Sequence, residues 1–134
     1  MAITLDGTNG ITTPSETVTG TGLGYGTGAG GTVTQATSKS TAVTLNKPSG
    51  RITLNNAALA AATTVEFTFN NSLIVSGDMI VLNITGGAAT AAAYNIGTRS
   101  ISTGSIVVGV RNITGGSLSE AIELTFALIK GATA

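Results

Sequence analysis

Paired glutamates are the one acid–base arrangement that this sequence offers. Glu120 and Glu123 lie three residues apart, and Glu66 and Glu123 each belong to an alternating run of apolar residues. Two carboxylates about 5–10 Å apart can hydrolyse a glycosidic bond. A polar residue in an alternating run, however, points away from the apolar face of its strand, and Arg51 and Arg111 occupy similar flanking positions. We therefore predict cross-strand ion pairs instead of a catalytic dyad, and we expect the protein not to be an enzyme.

The composition removes most other chemistry. The sequence of 134 residues contains no Cys and no His, which excludes disulfides, thiolate nucleophiles, imidazole bases and almost every zinc or copper site. Asp6 and Asp78 are isolated, so no acidic loop indicates a calcium site. Six basic residues balance six acidic ones, whereas nucleic-acid binding needs clustered positive charge. We expect no cofactor, no metal and no nucleic-acid partner.

One glycine motif suggests a nucleotide site and is better explained otherwise. Gly26, Gly28 and Gly31 match the G-x-G-x-x-G pattern of dinucleotide-binding folds. That pattern requires a helix N-terminus directly after it, to hold the pyrophosphate. The residues that follow, 32–37, are strand-like, so we assign the match to the high glycine content of this segment.

Apolar and polar residues alternate along most of the chain after Thr32, which is typical of strands with one buried face. The alternating apolar residues are Val43 and Leu45; Ile52 and Leu54; Val65, Phe67 and Phe69; Ile80, Leu82 and Ile84; Tyr94 and Ile96; Ile106, Val108 and Val110; and Ile122, Leu124, Phe126 and Leu128. Residues 56–62 alone are compatible with a helix, of one or two turns at most. We predict an all-β fold, an antiparallel β-sandwich or jelly roll, over residues 32–134.

Residues 1–31 are predicted to form an extended Gly/Thr-rich N-terminal arm. The dipeptides Asp6-Gly7 and Asn9-Gly10 favour tight turns, so residues 3–13 are compatible with a β-hairpin. Glycine then occupies every second position from Gly20 to Gly30. In an extended chain this spacing places all the glycines on one face, where another surface can approach closely. A flexible linker is the alternative interpretation.

One short string occurs twice, as Asn83-Ile84-Thr85-Gly86-Gly87 and as Asn112-Ile113-Thr114-Gly115-Gly116. Each copy follows an aliphatic run. We interpret the pair as one strand-exit turn used twice, since a repeat array would need three or more units.

Several segments resemble small virion structural proteins of tailed bacteriophages. They are residues 28–41 (GAGGTVTQATSKST), 43–47 (VTLNK), 55–60 (NNAALA), 116–124 (GSLSEAIEL) and 127–132 (ALIKGA). The opening, residues 3–14 (ITLDGTNGITTP), is similar to segments at the start of many tail-fibre proteins. Related modules occur both as stand-alone virion proteins and as terminal domains of tail fibres.

The resemblance implies a capsid decoration (cement) protein that binds and stabilises the head shell. Its expected partners are the major capsid protein and further copies of itself in a homotrimer, with no membrane. The expected location is the outer surface of the virion capsid after synthesis in the host cytoplasm, because the N-terminus lacks the basic region of a signal peptide. We expect apolar and main-chain contacts, including strand addition by the arm. The expected contact residues for the capsid or a neighbouring subunit are Ile3, Leu5, Ile11, Leu23 and Tyr25.

Two alternatives remain open at this point. The first is a tail-fibre or receptor-binding tip for host attachment, although Phe67, Phe69 and Phe126 lie in apolar alternation and are expected in the core, not on a sugar-binding surface. The second is a bacterial surface adhesin or fimbria-like module, which would need a signal peptide.

Overall fold

The computed structural model describes residues 24–25, 28–90 and 92–131 of the chain. These residues form an all-β sandwich without a helix. The strands are β1 (Thr32–Thr34), β2 (Val43–Thr44), β3 (Ser49–Thr53), β4 (Thr64–Asn70), β5 (Met79–Gly86), β6 (Tyr94–Ser102), β7 (Ser105–Asn112) and β8 (Glu123–Ile129). Sheet 1 has the order β1-β3-β8-β5, and sheet 2 has the order β2-β4-β7-β6.

Both sheets are mixed, so the antiparallel prediction is wrong at one edge of each sheet. β1 pairs with β3, and β2 with β4, in parallel, while the other pairs are antiparallel. Parallel pairs need a connection of about a dozen residues or more. Residues 35–48 connect β1 to β3 through β2, and residues 45–63 connect β2 to β4 through β3. The chain thus crosses to the opposite sheet and returns before each parallel pair forms.

The core lies between the sheets and consists of the alternating residues that the sequence predicts. Phe67 and Phe69 of β4 and Phe126 of β8 all lie in the core, and each is at most 2% exposed. The rings of Phe69 and Phe126 meet edge to face, with their centroids 4.8 Å apart. Such a contact adds about 0.5–1.5 kcal/mol to the free energy gained from burial. The predicted core position of the phenylalanines is confirmed.

Residues 56–62, compatible with a helix by sequence, are not helical. Leu59 is buried instead and forms an isolated antiparallel bridge with Leu118. Because each of the two residues donates its N–H to the carbonyl of the other, at 2.8 and 3.0 Å, this loop is tied to the segment before β8.

The duplicated string does not form the same turn twice. In the first copy, Ile84 packs against the core and Asn83 is exposed. In the second copy, Ile113 is 52% exposed and Asn112 is fully buried. Asn112 Nδ2 donates to the carbonyls of Leu59 and Ala60 and Oδ1 accepts from the Thr114 amide. A shift of one residue exchanges the two faces of a strand, so corresponding side chains in the two copies point in opposite directions.

Candidate binding surface

The glutamates that could have formed a catalytic dyad lie apart, in two ion pairs on opposite sheets. Arg51 Nη1 of β3 lies 3.2 Å from Glu123 Oε2 of β8, and Arg99 Nε of β6 lies 3.6 Å from Glu66 Oε1 of β4. The prediction of cross-strand ion pairs is therefore confirmed, but Arg99 takes the place expected for Arg111. All four side chains are about one-third to one-half exposed, so each pair contributes little to stability.

Gly109 explains why Arg99 reaches Glu66 across an intervening strand. Glu66 is paired with Gly109 of β7, which in turn is paired with Gly97 of β6. Arg99 lies at a register shift between Thr98 and Ser100. A Cβ atom at position 109 would lie 3.0 Å from Arg99 Cζ, so the guanidinium group occupies the space of a side chain.

Glu120 lies apart from Glu123, in a polar cluster at the end of the sandwich where β8 begins. Glu120 Oε1 accepts a hydrogen bond from the Ala89 amide at 3.0 Å. Its Oε2 atom and the Tyr94 hydroxyl are both buried and have no hydrogen-bond partner among the described residues. Burial and the neighbouring Glu120 carboxylate raise the pKa of Tyr94 to about 12. The phenol therefore stays protonated at neutral pH.

Lys39 is the member of this cluster that sequence reasoning missed. It is only 3% exposed, although lysine is almost never fully buried without partners. Its Nζ atom donates to the carbonyl oxygens of Asn55 and Glu120. Burial lowers the pKa of Lys39, and the Glu120 carboxylate opposes this effect. Gln35 holds the same loop by donating to the carbonyls of Lys39 and Thr41, at 3.0 and 2.8 Å. These contacts make the cluster a structural support for the connection between β1 and β2.

The other end of the sandwich carries most of the exposed hydrophobic side chains. Seven large hydrophobic residues are exposed among those described. Ile113 alone of them lies at the same end as the Glu120 cluster, where β7 finishes and β8 begins. The other six, which we call the apolar surface, are Tyr25, Leu73, Val75, Met79, Val81 and Ile129. Exposed apolar groups collected in one region mark binding surfaces more often than scattered ones do.

Strand alternation produces the central part of the apolar surface. Ile80 and Leu82 of β5 face the core, so Met79 and Val81 point outward. On β8, Leu128 points inward and Ile129 outward, directly opposite Met79. Met79 is 59% exposed, more than any other large hydrophobic side chain in the described part of the chain. The outer face of sheet 1 is therefore apolar at this end, while Arg51 and Glu123 make it charged further along.

Asp78 holds the loop before β5 in place beneath this surface. The carboxylate is buried; it accepts hydrogen bonds from Lys130 Nζ, from the Val75 amide at 2.8 Å and from the Gly131 amide at 3.0 Å. Lys130 also donates to the Leu73 carbonyl at 2.8 Å. The hydrogen bonds from Lys130 and Val75 lower the pKa of Asp78 to about 2. One carboxylate thus connects the loop carrying Leu73 and Val75 to the end of β8.

Tyr25 joins the N-terminal part of the chain to the same region. Its hydroxyl donates to the carbonyl of Leu128. An open groove of about 380 Å³ lies here, lined by Gly24, Tyr25, Ala127, Leu128, Ile129 and Lys130. Of the contact residues expected from the sequence, Tyr25 belongs to the apolar surface, whereas Ile3, Leu5, Ile11 and Leu23 lie outside the described residues.

The described residues contain no group of three or more His, Cys, Asp or Glu side chains that could hold a metal ion. Within the same ranges, no helix is long and apolar enough to cross a membrane. No family model, no curated protein and no solved structure matches this chain.

Proposed function

We propose that this chain is a virion structural protein of a tailed bacteriophage that decorates the head shell and stabilises it by non-covalent contacts. The observation that carries the proposal is the apolar surface at one end of the β-sandwich, in a chain whose formal net charge is zero. Burial of an exposed aliphatic side chain contributes up to about 1.5–3 kcal/mol, so several together support a specific contact. The function is binding, without catalysis or a cofactor.

The proposed partners are the major capsid protein and two further copies of this chain in a homotrimer. Closed rotational symmetry presents each weak contact three times, and simultaneous contacts multiply affinity through a high effective concentration. The resemblance of residues 28–41 and 116–124 to phage virion proteins supports the same assignment. The protein is then made in the host cytoplasm and located on the outer surface of the capsid.

A tail-fibre tip that binds a host glycan is the competing function. Sugar-binding surfaces commonly stack exposed aromatic rings against pyranose rings. Tyr25 is the one exposed aromatic residue among those described, while Tyr94 and the three phenylalanines are buried. This distribution favours the decoration role.

We also infer that the sandwich is a variant of the jelly roll. The hairpin β6–β7 and the pair β5–β8 continue one antiparallel ribbon, and β4 and β3 add to the other sides of β7 and β8. A ribbon wrapped in this way supports the jelly-roll assignment. The parallel strands β1 and β2 are additions to that plan.

The copy number of the chain in purified virions tests the proposed location. Quantitative mass spectrometry, relative to the major capsid protein, is expected to give an abundance of the same order as that of the capsid subunit. A few copies per particle would overturn the decoration role and favour the tail tip.

Substitutions in the apolar surface test the binding mechanism. Val81→Ser is expected to weaken binding to undecorated shells by about tenfold or more, since the loss of one buried aliphatic contact corresponds to about 1.5 kcal/mol or more. Ile113→Ser is the matched control, because Ile113 is as exposed as Val81 but lies outside the surface. Co-sedimentation with shells measures both. Equal binding by the two variants would contradict the proposal.

A further inference from the structure

The outer edge of β5 is an open strand edge. It differs from the other three sheet edges in length, regularity or charge. Among the described residues, β5 ends the strand order of sheet 1, and no strand pairs with its outer side. The edge strands β1 and β2 have only three and two residues. The fourth edge, β6, is interrupted by a register shift and carries Arg99. Short strands, bulges and charges are the usual protection of an edge against pairing with another chain.

β5 lacks these protections over most of its length. It has eight residues, none of them charged and none proline, and its one register shift lies at the far end, between Ile84 and Gly86. Met79 and Val81 are exposed on its outward face. An uncharged, apolar edge of this length can accept a further strand, whose main-chain groups bond to those of β5.

The N-terminal segment supplies a strand of matching character. In each strand of the predicted hairpin, residues 3–5 and 11–13, the apolar side chains (Ile3 and Leu5, or Ile11) point to one face and the intervening threonine (Thr4 or Thr12) points to the other. Beside β5, that face would continue the row formed by Met79 and Val81. The described chain also begins in the right place: the Tyr25 hydroxyl bonds to the carbonyl of Leu128, which is paired with Ile80 of β5.

The linker is longer than a connection to the chain's own β5 edge requires, which leaves room for exchange between subunits. Neighbouring strands lie about 4.8 Å apart, and hairpin connections of about 2–5 residues cover that distance. Residues 14–24 separate the candidate strand from the anchored Tyr25 and contain glycine at positions 20, 22 and 24. A flexible segment of this length spans about 17–20 Å on average, several times the separation of neighbouring strands.

We propose that the N-terminal segment, residues 3–13, of one copy adds a strand to the β5 edge of a second copy. Each subunit then donates one segment and accepts one, and such head-to-tail contacts close into a ring. The inference rests on the homotrimer of the proposed function, but its test requires no capsid.

Introduced cysteines distinguish strand exchange between copies from addition of the segment to its own subunit, because the chain has no cysteine of its own. Full-length Leu5→Cys and Val81→Cys proteins are unfolded, mixed and refolded together so that rings containing both can form, then exposed to mild oxidation, and the products are separated on non-reducing gels. Neither protein can form an internal disulfide, so a mixed disulfide reports contact between two copies. Ser102→Cys, on the β6 edge, is the matched control partner for Leu5→Cys. We expect the mixed disulfide to form about 10³-fold faster with Val81→Cys, the ratio of millimolar effective concentration to micromolar protein.

Equal cross-linking to Val81→Cys and Ser102→Cys would overturn the exchange. A double variant, Leu5→Cys with Val81→Cys in one chain, gives the second measurement. It is expected to form covalent rings or ladders of several chains. Formation of an internally cross-linked monomer instead would overturn the exchange and assign the segment to its own subunit. Shell binding is measured separately on the unsubstituted chain, so cross-linked rings together with an unsubstituted chain that does not bind shells would contradict the proposed function while supporting the exchange.

Discussion

Single buried polar side chains position the loops at both ends of the sandwich. Asp78 connects the loop before β5 to the end of β8, and Lys39 connects the β1–β2 loop to the carbonyls of Asn55 and Glu120. Neither residue stands out in the sequence, since an isolated Asp and an isolated Lys are ordinarily solvated. Their burial depends on which backbone groups the fold brings within reach.

Asp78→Asn is expected to destabilise the protein at neutral pH, because the ionised carboxylate is the better acceptor for Lys130 and two amides. The pKa of Asp78 is lowered from 3.8 to about 2 in the folded chain. Its ionised form therefore stabilises the fold fully above about pH 4, and this contribution is lost as the pH falls towards 2.

Urea unfolding of the wild type and Asp78→Asn at pH 6, 3 and 2 measures this effect. The difference in the free energy of unfolding is expected to be largest at pH 6 and to shrink at each lower pH. Glu66→Gln, at an exposed ion pair, serves as the control and should remain within ~0.5 kcal/mol of wild type. A difference for Asp78→Asn that is constant with pH would refute the role of the ionised carboxylate.

At the scale of the strands, glycines decide how closely connections can pass. Gly87, directly after β5, has a φ of 77°, and a Cβ atom there would lie 2.7 Å from Ile122 Cα. Gly104, in the β6–β7 hairpin, has a φ of 85°, but a Cβ atom there would meet nothing within 4 Å. The two positions share the backbone conformation and differ in the space around them.

Alanine at these two positions separates backbone strain from steric conflict. Gly104→Ala is expected to lower the free energy of unfolding by about 1–2 kcal/mol, the cost of a left-handed conformation. Gly87→Ala should cost a further ~1–3 kcal/mol, because the segment before β8 must move away. Thermal or urea unfolding of the two variants checks this order. Equal losses would mean that the Gly87 loop relaxes freely.

At the scale of the whole molecule, neutrality and an apolar surface predict how self-association responds to salt. Contacts between apolar side chains and main-chain groups are screened little by ions, in contrast to contacts between exposed charges. We expect the dissociation constant of the oligomer to change less than about threefold between 50 and 500 mM sodium chloride, because no counterions are released. Sedimentation analysis measures it, and a tenfold weakening by salt would indicate a charged interface instead.

The alternation of apolar residues was sufficient to predict the β-sandwich and its core. It could not predict the parallel edges, because a strand with one buried face has the same pattern whichever direction its neighbour runs. The alternation of apolar residues could not predict the partner of Glu66 either. A register shift at Arg99 and the missing side chain of Gly109 place Arg99 over β7, and both depend on pairing between distant strands.

The apolar surface was predictable only at Tyr25. Met79, Val81 and Ile129 belong to alternating runs whose outward positions are normally polar, and their positions on neighbouring strands follow from the pairing of β5 with β8. Leu73 and Val75 join them because Asp78 and Lys130 fix the loop between β4 and β5.

Tyr25 and Gly131 meet the body of the sandwich at the same end, one at Leu128 and the other at Asp78. A foreign domain inserted directly before Gly24 or directly after Gly131 would therefore emerge beside Met79 and Ile129. Foreign sequence is better accommodated at the opposite end, in the exposed turn around Gly115, where a Cβ atom would meet nothing within 4 Å. If the protein coats a shell as proposed, that turn is the position from which inserted peptides would face outward in many copies.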